Sequence, residues 1–179
     1  LNAEAAENGV DEIEVVNNAY VGNTVVAERE NLSDVTDADL ITVGFSNVEF
    51  LNAAINNALN GVEMDWAAVV GAENVHYVEE LLAEVALKIA EAGIEGEYAD
   101  MANAVIESYA YSAVLYATEL PQLIAEINAV NPDALVIIVG MYNPMDDVVI
   151  ALDENVTMDI GEYIDYLVDG VAVVKEAAV

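Results

Sequence analysis

The sequence predicts an α/β fold built on a mainly parallel sheet, and three observations carry that prediction. Two short runs, Leu40–Phe45 and Ala134–Gly140, are apolar at successive positions. A strand buried on both faces has that pattern, and such strands belong in the middle of parallel sheets. Long stretches between and after these runs repeat apolar residues every three or four positions, which is the helical period. The alternation of the two patterns is what a parallel sheet with crossover helices requires.

Along the chain, residues 1–8 read as the end of a helix stopped by Gly9. Ile13–Val16 is a short β-type run that leads into Asn17–Asn23, rich in turn formers. Asp37-Ala38-Asp39 precedes the strand Leu40–Phe45. A helix is predicted from about Val48 to Leu59, closed by Asn60-Gly61. Residues 73–92 form a cleaner one, with Val75, Val78, Leu82, Val85 and Ile89 on one stripe and Gly93 at its end. A helix over 97–119 carries Tyr98, Met101, Val105, Ile106, Tyr109, Ala113 and Tyr116. Pro121 suits the first turn of a separate helix over 121–130, with Leu123, Ile124 and Ile127 inward. Asn131-Pro132-Asp133 stops it, and the strand Ala134–Gly140 follows. Met141–Pro144 reads as a loop at the end of that strand. The last helix spans about 160–177, with Ile160, Tyr163, Ile164, Leu167, Val168, Val171 and Val174 on one side.

Composition bounds the function. The 179 residues are 56% hydrophobic, enough for a single domain (1–179) with a core of its own. Acidic residues number 34 against three basic ones, Arg29, Lys88 and Lys175, for a net charge of −31. A nucleic-acid partner needs a basic face, so none is expected, and anionic membrane surfaces are disfavoured on the same ground. No apolar run approaches the roughly 20 residues of a membrane helix, and the first residues do not read as a basic-then-apolar signal peptide. An acidic skin over an apolar core suits high salt, divalent cations or an extracellular or cell-surface setting, because screening relieves self-repulsion. The chain has no cysteine, which excludes disulfides and thiolate metal sites.

Three segments together resemble the SGNH (GDSL-type) hydrolase family. Val15–Thr24 is similar to the family's second block, a strand and loop whose glycine amide serves the oxyanion hole; Gly22 is the matching position. Asp37–Asn47 is similar to the third block, and Asn47 matches the asparagine whose amide completes that hole. Leu120–Pro144 resembles the helix, Asn-Pro-Asp and strand before the fourth conserved region. The resemblance implies a three-layer α/β/α, flavodoxin-like fold. It also implies hydrolysis of a carboxylic ester, on a small ester or an acylated carbohydrate, with no cofactor. The departures are specific. The Gly-Asp-Ser of the nucleophile and the Asp-x-x-His of the base are absent, and Val48 stands where the family has Asp. The chain therefore reads as a family domain without its first and last blocks, inactive alone. The rival reading is a non-catalytic acidic structural or surface module. The family's strand order, 2-1-3-4-5, would also leave a slot between Ile13–Val16 and Leu40–Phe45. Direct pairing, the chain's own N-terminal residues, or a strand donated by a partner or another copy would fill it.

Each candidate has a plainer reading. Asn47 suits the cap of the helix beginning near Val48 as well as an oxyanion donor. Ser46, at a strand-to-helix turn, lacks the pattern of a nucleophile elbow and reads as a turn serine. His76, the only histidine, reads as a solvated helix residue. Acidic clusters at Asp34, Asp37 and Asp39, at Asp146 and Asp147, and at Asp153, Glu154 and Asp159 are candidate cation ligands, without the spacing of a calcium loop. Asn31 and Asn155 open glycosylation sequons. Tyr98, Tyr109 and Tyr116 read as core, with an aromatic ligand pocket as the alternative.

Overall fold

Helices carry most of the chain in the computed structural model, which describes residues 7–9, 13–19, 25–30, 32–44, 47–139, 149–151 and 157–177. In order these are α1 (Val25–Arg29), β1 (Leu40–Gly44), α2 (Asn47–Asn60), α3 (Trp66–Val70), α4 (Val75–Glu91), α5 (Glu97–Val130), β2 (Leu135–Val139), β3 (Val149–Ala151), β4 (Thr157–Asp159) and α6 (Ile160–Ala177). Single 3-10 turns at Ser33–Val35 and Ala72–Asn74 precede β1 and α4. The fold is thus α/β in a loose sense, helix-rich with a small parallel sheet. The three-layer, flavodoxin-like arrangement is not shown. No described helix is long and apolar enough to cross a membrane.

Helix α5 is the hub. Its 34 residues extend about 51 Å at 1.5 Å per residue, and it packs on all five other helices described. The main core gathers Val78, Val85 and Ile89 of α4, Ile106, Tyr109 and Val114 of α5, and Ile160, Ile164, Leu167 and Val171 of α6. The stripes of α4 and α6 are those that the helical period predicts; on α5 Ile106 and Tyr109 are as predicted, while Val114 is buried in place of Ala113 and Met101 is exposed. Burying each large aliphatic side chain contributes about 1.5–3 kcal/mol, so this cluster is the main source of stability. Helices α4 and α6 approach closely at Gly170, where a Cβ would stand 2.7 Å from Leu81 Cδ1.

Local chemistry sets the ends. Gly93 follows α4 at φ +84°, while Ile94 N–H donates to Ile89 O at 3.2 Å and buries its side chain. That is a glycine-terminated helix end sealed by an apolar contact. Asp65 caps α3 by accepting from Ala68 N–H at 3.2 Å. This short helix escapes the periodicity argument, yet it delivers Trp66 into the core. There the indole N–H donates to Glu107 Oε1 at 2.9 Å, and the ring meets Tyr111 edge-on at 5.1 Å.

The predicted break at Pro121 is a correction: 97–119 and 121–130 form one helix. Proline removes one backbone bond and crowds the preceding turn, but the segment beyond it is held by packing. Leu123 and Ile127 are buried in a second cluster with Val25 and Val43. Arg29 of α1 spans the proline, donating to Glu119 on one side and to Glu126 on the other. Tyr98 is a second correction. It is 73% exposed near the start of α5, where Ala99 and Ala102 face the core instead, while Tyr109 is buried as expected.

The sheet departs furthest from expectation. Strands β1 and β2 pair in parallel, Leu40 opposite Leu135 through Gly44 opposite Val139. Leu135 N–H also donates to Asp39 O at 2.9 Å. Ile13–Val16 is the third correction: it joins no strand, and Val15 and Val16 are 69% and 67% exposed. A four-residue run interrupted by Glu14 that pairs with neither described sheet has no ladder to hold it as a strand. The second described sheet is an antiparallel hairpin of β3 and β4, with β4 running directly into α6. Neither strand stands out in the sequence. Asp159 Oδ1 accepts from Glu162 N–H at 3.2 Å at the start of α6.

Candidate functional site

The corner between β1 and α2 is where the sequence places its candidate chemistry. Strand β1 ends at Gly44, and α2 begins at Asn47. Asn47 is thus the first residue of the helix and not the residue before it, where the cap of a helix beginning at Val48 would stand. Its side chain lies outside the described residues, as do Gly22 and Ser46. So do Asn31, Asp146, Asp147, Asp153, Glu154, Asn155 and the loop 141–144. The strand that was to present Gly22 is not formed, which removes the structural argument for that residue.

Asn131 anchors the opposite, N-terminal end of β1. It is 8% exposed at the C-terminal end of α5. Its side-chain amide donates to Val35 O and to Ala38 O, both at 2.8 Å. One amide thus ties the turn leading into β1 to the helix leading into β2. The Asn-Pro-Asp segment is legible as a stop signal; that its asparagine reaches 93 and 96 residues back is not.

The titratable groups are dispersed. His76 is exposed on the first turn of α4, with its ring 3.8 Å from that of Tyr77. Ser108 is buried, and its hydroxyl accepts from Asn57 Nδ2 at 2.9 Å. Ser112 and Thr118 hydroxyls donate to carbonyls one turn back, at 2.9 and 2.8 Å. A nucleophile needs a base within hydrogen-bond reach, and these described hydroxyls have helix groups there instead. Asp34, Asp37 and Asp39 are all exposed, and Asp34 accepts from Asn18 Nδ2 at 2.8 Å. Among the described residues no group of three or more acidic or histidine side chains is arranged to hold a metal.

Two grooves lie on the helical body. One, between α4 and α6, holds about 370 Å³ and is lined by Lys88, Glu91, Ala92, Glu162, Tyr163 and Tyr166. The Lys88 ammonium sits 4.7 Å from the Tyr166 ring centre, and the Tyr166 hydroxyl donates to Glu84. That hydrogen bond holds the phenol above its ordinary pKa. Burial, then Glu162, Asp159 and Glu91, do the same for Tyr163. Both phenols are thereby kept protonated, which suits hydrogen-bond donors and not bases. The other groove, about 260 Å³ between α5 and α6, has an apolar floor of Val114, Ala117, Val168 and Ala172, with Lys175 bonded to Thr118 at its edge.

Arg29 is the functional-looking group that sequence reasoning missed. Its guanidinium takes Glu126 in a fork, Nε to Oε2 at 3.0 Å and Nη2 to Oε1 at 2.6 Å, and also bonds Glu119. Hydrogen bonding to Glu126 and Glu119 raises its pKa further, and the same contact lowers that of Glu126. With both carboxylates in place, the guanidinium is a structural clamp. The signal available in the sequence was rarity alone: it is one of three cations in the chain.

Comparison with known protein families, with curated proteins and with solved structures finds no match.

Proposed function

We propose that this chain is a non-catalytic acidic module: a helical body that carries a strand–helix corner without the groups that would make it an enzyme. The observation that supports this most directly is the place of His76. The single histidine of the chain lies exposed on α4 against Tyr77, and α4 packs on α3, α5 and α6. Acyl transfer by a serine requires a base hydrogen-bonded to the nucleophile and oriented by a third group. The deciding experiment is incubation with p-nitrophenyl acetate and with a serine-reactive phosphonate. Background turnover and an unlabelled intact mass are expected. Stoichiometric labelling at Ser46 would overturn the reading and make Ser46 the nucleophile.

A second reading keeps the SGNH resemblance. Its support is the direct parallel pairing of β1 with β2 and the start of α2 at Asn47, which belong to two of the three segments that carry the resemblance. Under it the domain has the three-layer fold, and Asn47 holds the carbonyl of a small ester or an acylated carbohydrate. A serine and a histidine from outside this chain would then complete hydrolysis at the cell surface or beyond it. Titration with an acetylated oligosaccharide separates the two: chemical-shift changes centred on residues 44–50 support the second reading, and none supports the first.

A further inference from the structure

The outer face of the β1–β2 sheet is the least expected surface of the molecule. Side chains alternate across a strand. Ile41, Val43 and Val136 turn toward Leu123, Ile127 and Val25 and pack there. Leu40, Leu135, Ile137 and Val139 stand at the opposite parity, and they are 53%, 62%, 44% and 55% exposed; on the inner parity only Ile138, near the end of β2, is comparably open at 45%. Four large aliphatic residues in one contiguous register form the kind of exposed patch that marks an interaction surface.

Two arguments fix the occupant. Parallel sheets are covered on both faces, and what covers them is helix. The charge then selects which helix. At a net charge of −31 a second copy is repelled, since like-charged surfaces must be brought together across the patch. Asp37, Asp39 and Asp133, all exposed, stand at the N-terminal end of the two strands. The chain's three cations are all engaged elsewhere: Arg29 by Glu119 and Glu126, Lys88 by the Tyr166 ring, and Lys175 by Thr118. The patch is therefore apolar with an acidic end and no basic group of its own.

We infer that this face docks a basic amphipathic helix of a partner protein, whose apolar stripe covers Leu40, Leu135, Ile137 and Val139 and whose Lys or Arg residues meet the aspartates. This extends the non-catalytic reading but is tested apart from it, because peptide binding is measured without any substrate.

The experiment titrates the full chain, at about 0.15 M salt, with a fluorescent helical peptide of Leu and Lys in amphipathic order, and with a scrambled peptide of the same composition. The ordered peptide should bind roughly tenfold tighter than the scrambled one, and Ile137→Ser should remove that difference while leaving net charge unchanged. Urea unfolding of the variant checks that it folds; Leu135→Ser serves if it does not. Equal binding of the two peptides, or no effect of either variant, would leave only non-specific attraction to the acidic skin and would overturn the inference. So would two other results: side-chain footprinting that finds Ile137 protected in the chain alone, or sedimentation of a dimer that Ile137→Ser dissolves.

Discussion

The helical cluster around α5 and the strand pair near its C-terminal end are built from the same aliphatic residue types and meet opposite fates. Ile89, Ile106, Leu167 and Val171 are at most 0% exposed to within rounding, while Ile137, Ile138 and Val139 of β2 are 44%, 45% and 55% exposed. The difference lies in how each element finds partners. A helix satisfies its backbone internally and needs only one apolar stripe covered, and α3, α4, α5 and α6 cover one another. A strand satisfies its backbone only through neighbours, and here β1 and β2 have each other and one helical face. The lesson is that apolar content is not burial: a run of five aliphatic residues is a core in one setting and an interface in another.

The sharpest way to break that comparison is a pair of core-sized substitutions. Ile106→Ala in the helical cluster should cost about 2–5 kcal/mol in urea unfolding, since transfer and cavity terms add where nothing can collapse. Ile137→Ser on the outer sheet face should change stability by roughly 0.5 kcal/mol or less. Equal losses would mean that the sheet face is buried in solution.

Asn131→Ala tests what holds the N-terminal end of β1 in place. It leaves the carbonyls of Val35 and Ala38 without their donor, and a buried polar group left unpaired costs about 1–3 kcal/mol. Amide exchange should quicken in β1 and β2 before it does in α4 and α6. Uniform quickening would show that the two regions open together.

Arg29→Met probes the clamp across Pro121. Glu119 and Glu126 lose their cation, so the thermal midpoint should fall, and added salt should restore part of it. The wild-type midpoint should itself rise as the Debye length shrinks from about 30 Å to 10 Å, because −31 charges repel. A flat salt series would show those charges already compensated. The clamp also has a pH signature. Glu126 is held below its ordinary pKa by Arg29, so its contribution is present above the unfolded carboxylate value near 4.3 and is lost as pH falls through the lower folded one. Arg29→Met should flatten that acid limb.

The smallest expected effect is at alkaline pH. Burial first raises the pKa of Tyr109, Tyr111, Tyr116 and Tyr163, and the hydrogen bond to Glu84 raises that of Tyr166. A raised folded pKa gives stability that is whole below the unfolded value of about 10 and is lost as pH climbs through the folded one. Urea midpoints should therefore decline above about pH 10. Because four of these five tyrosines pack in the helical cluster and only Tyr116 lies against the sheet, the decline should be nearly unchanged in Ile137→Ser.

Much of the helical body is legible before any coordinates. The stripe Val75, Val78, Leu82, Val85, Ile89 and the stripe Ile160, Ile164, Leu167, Val171 both face the core, and Gly61 and Gly93 end their helices at positive φ. The two principal strands are legible too, and β1 and β2 pair as strands of a parallel sheet. What misleads is residue type read without context. Pro121 breaks isolated helices, but Leu123 and Ile127 beyond it are buried and the Arg29 clamp to Glu119 and Glu126 spans it. Ile13–Val16 has strand composition and no strand to join. At the candidate site, the position of Asn47 after β1 is legible, whereas the reach of Asn131 to Val35 and Ala38 is long-range and leaves no local trace.

The sequence alone determined the net charge, the helical stripes, the two aliphatic strands and the lack of a second histidine, because composition and short-range period follow from neighbours within one or two turns. The tertiary structure decided that α5 runs through its proline, that Trp66 enters the core on a five-residue helix, that Arg29 is spent on two glutamates, and that Leu40, Leu135, Ile137 and Val139 of the sheet stay half-exposed. Each of these depends on residues tens of positions apart meeting in space, and the free energy of such meetings is not written in any local stretch of chain.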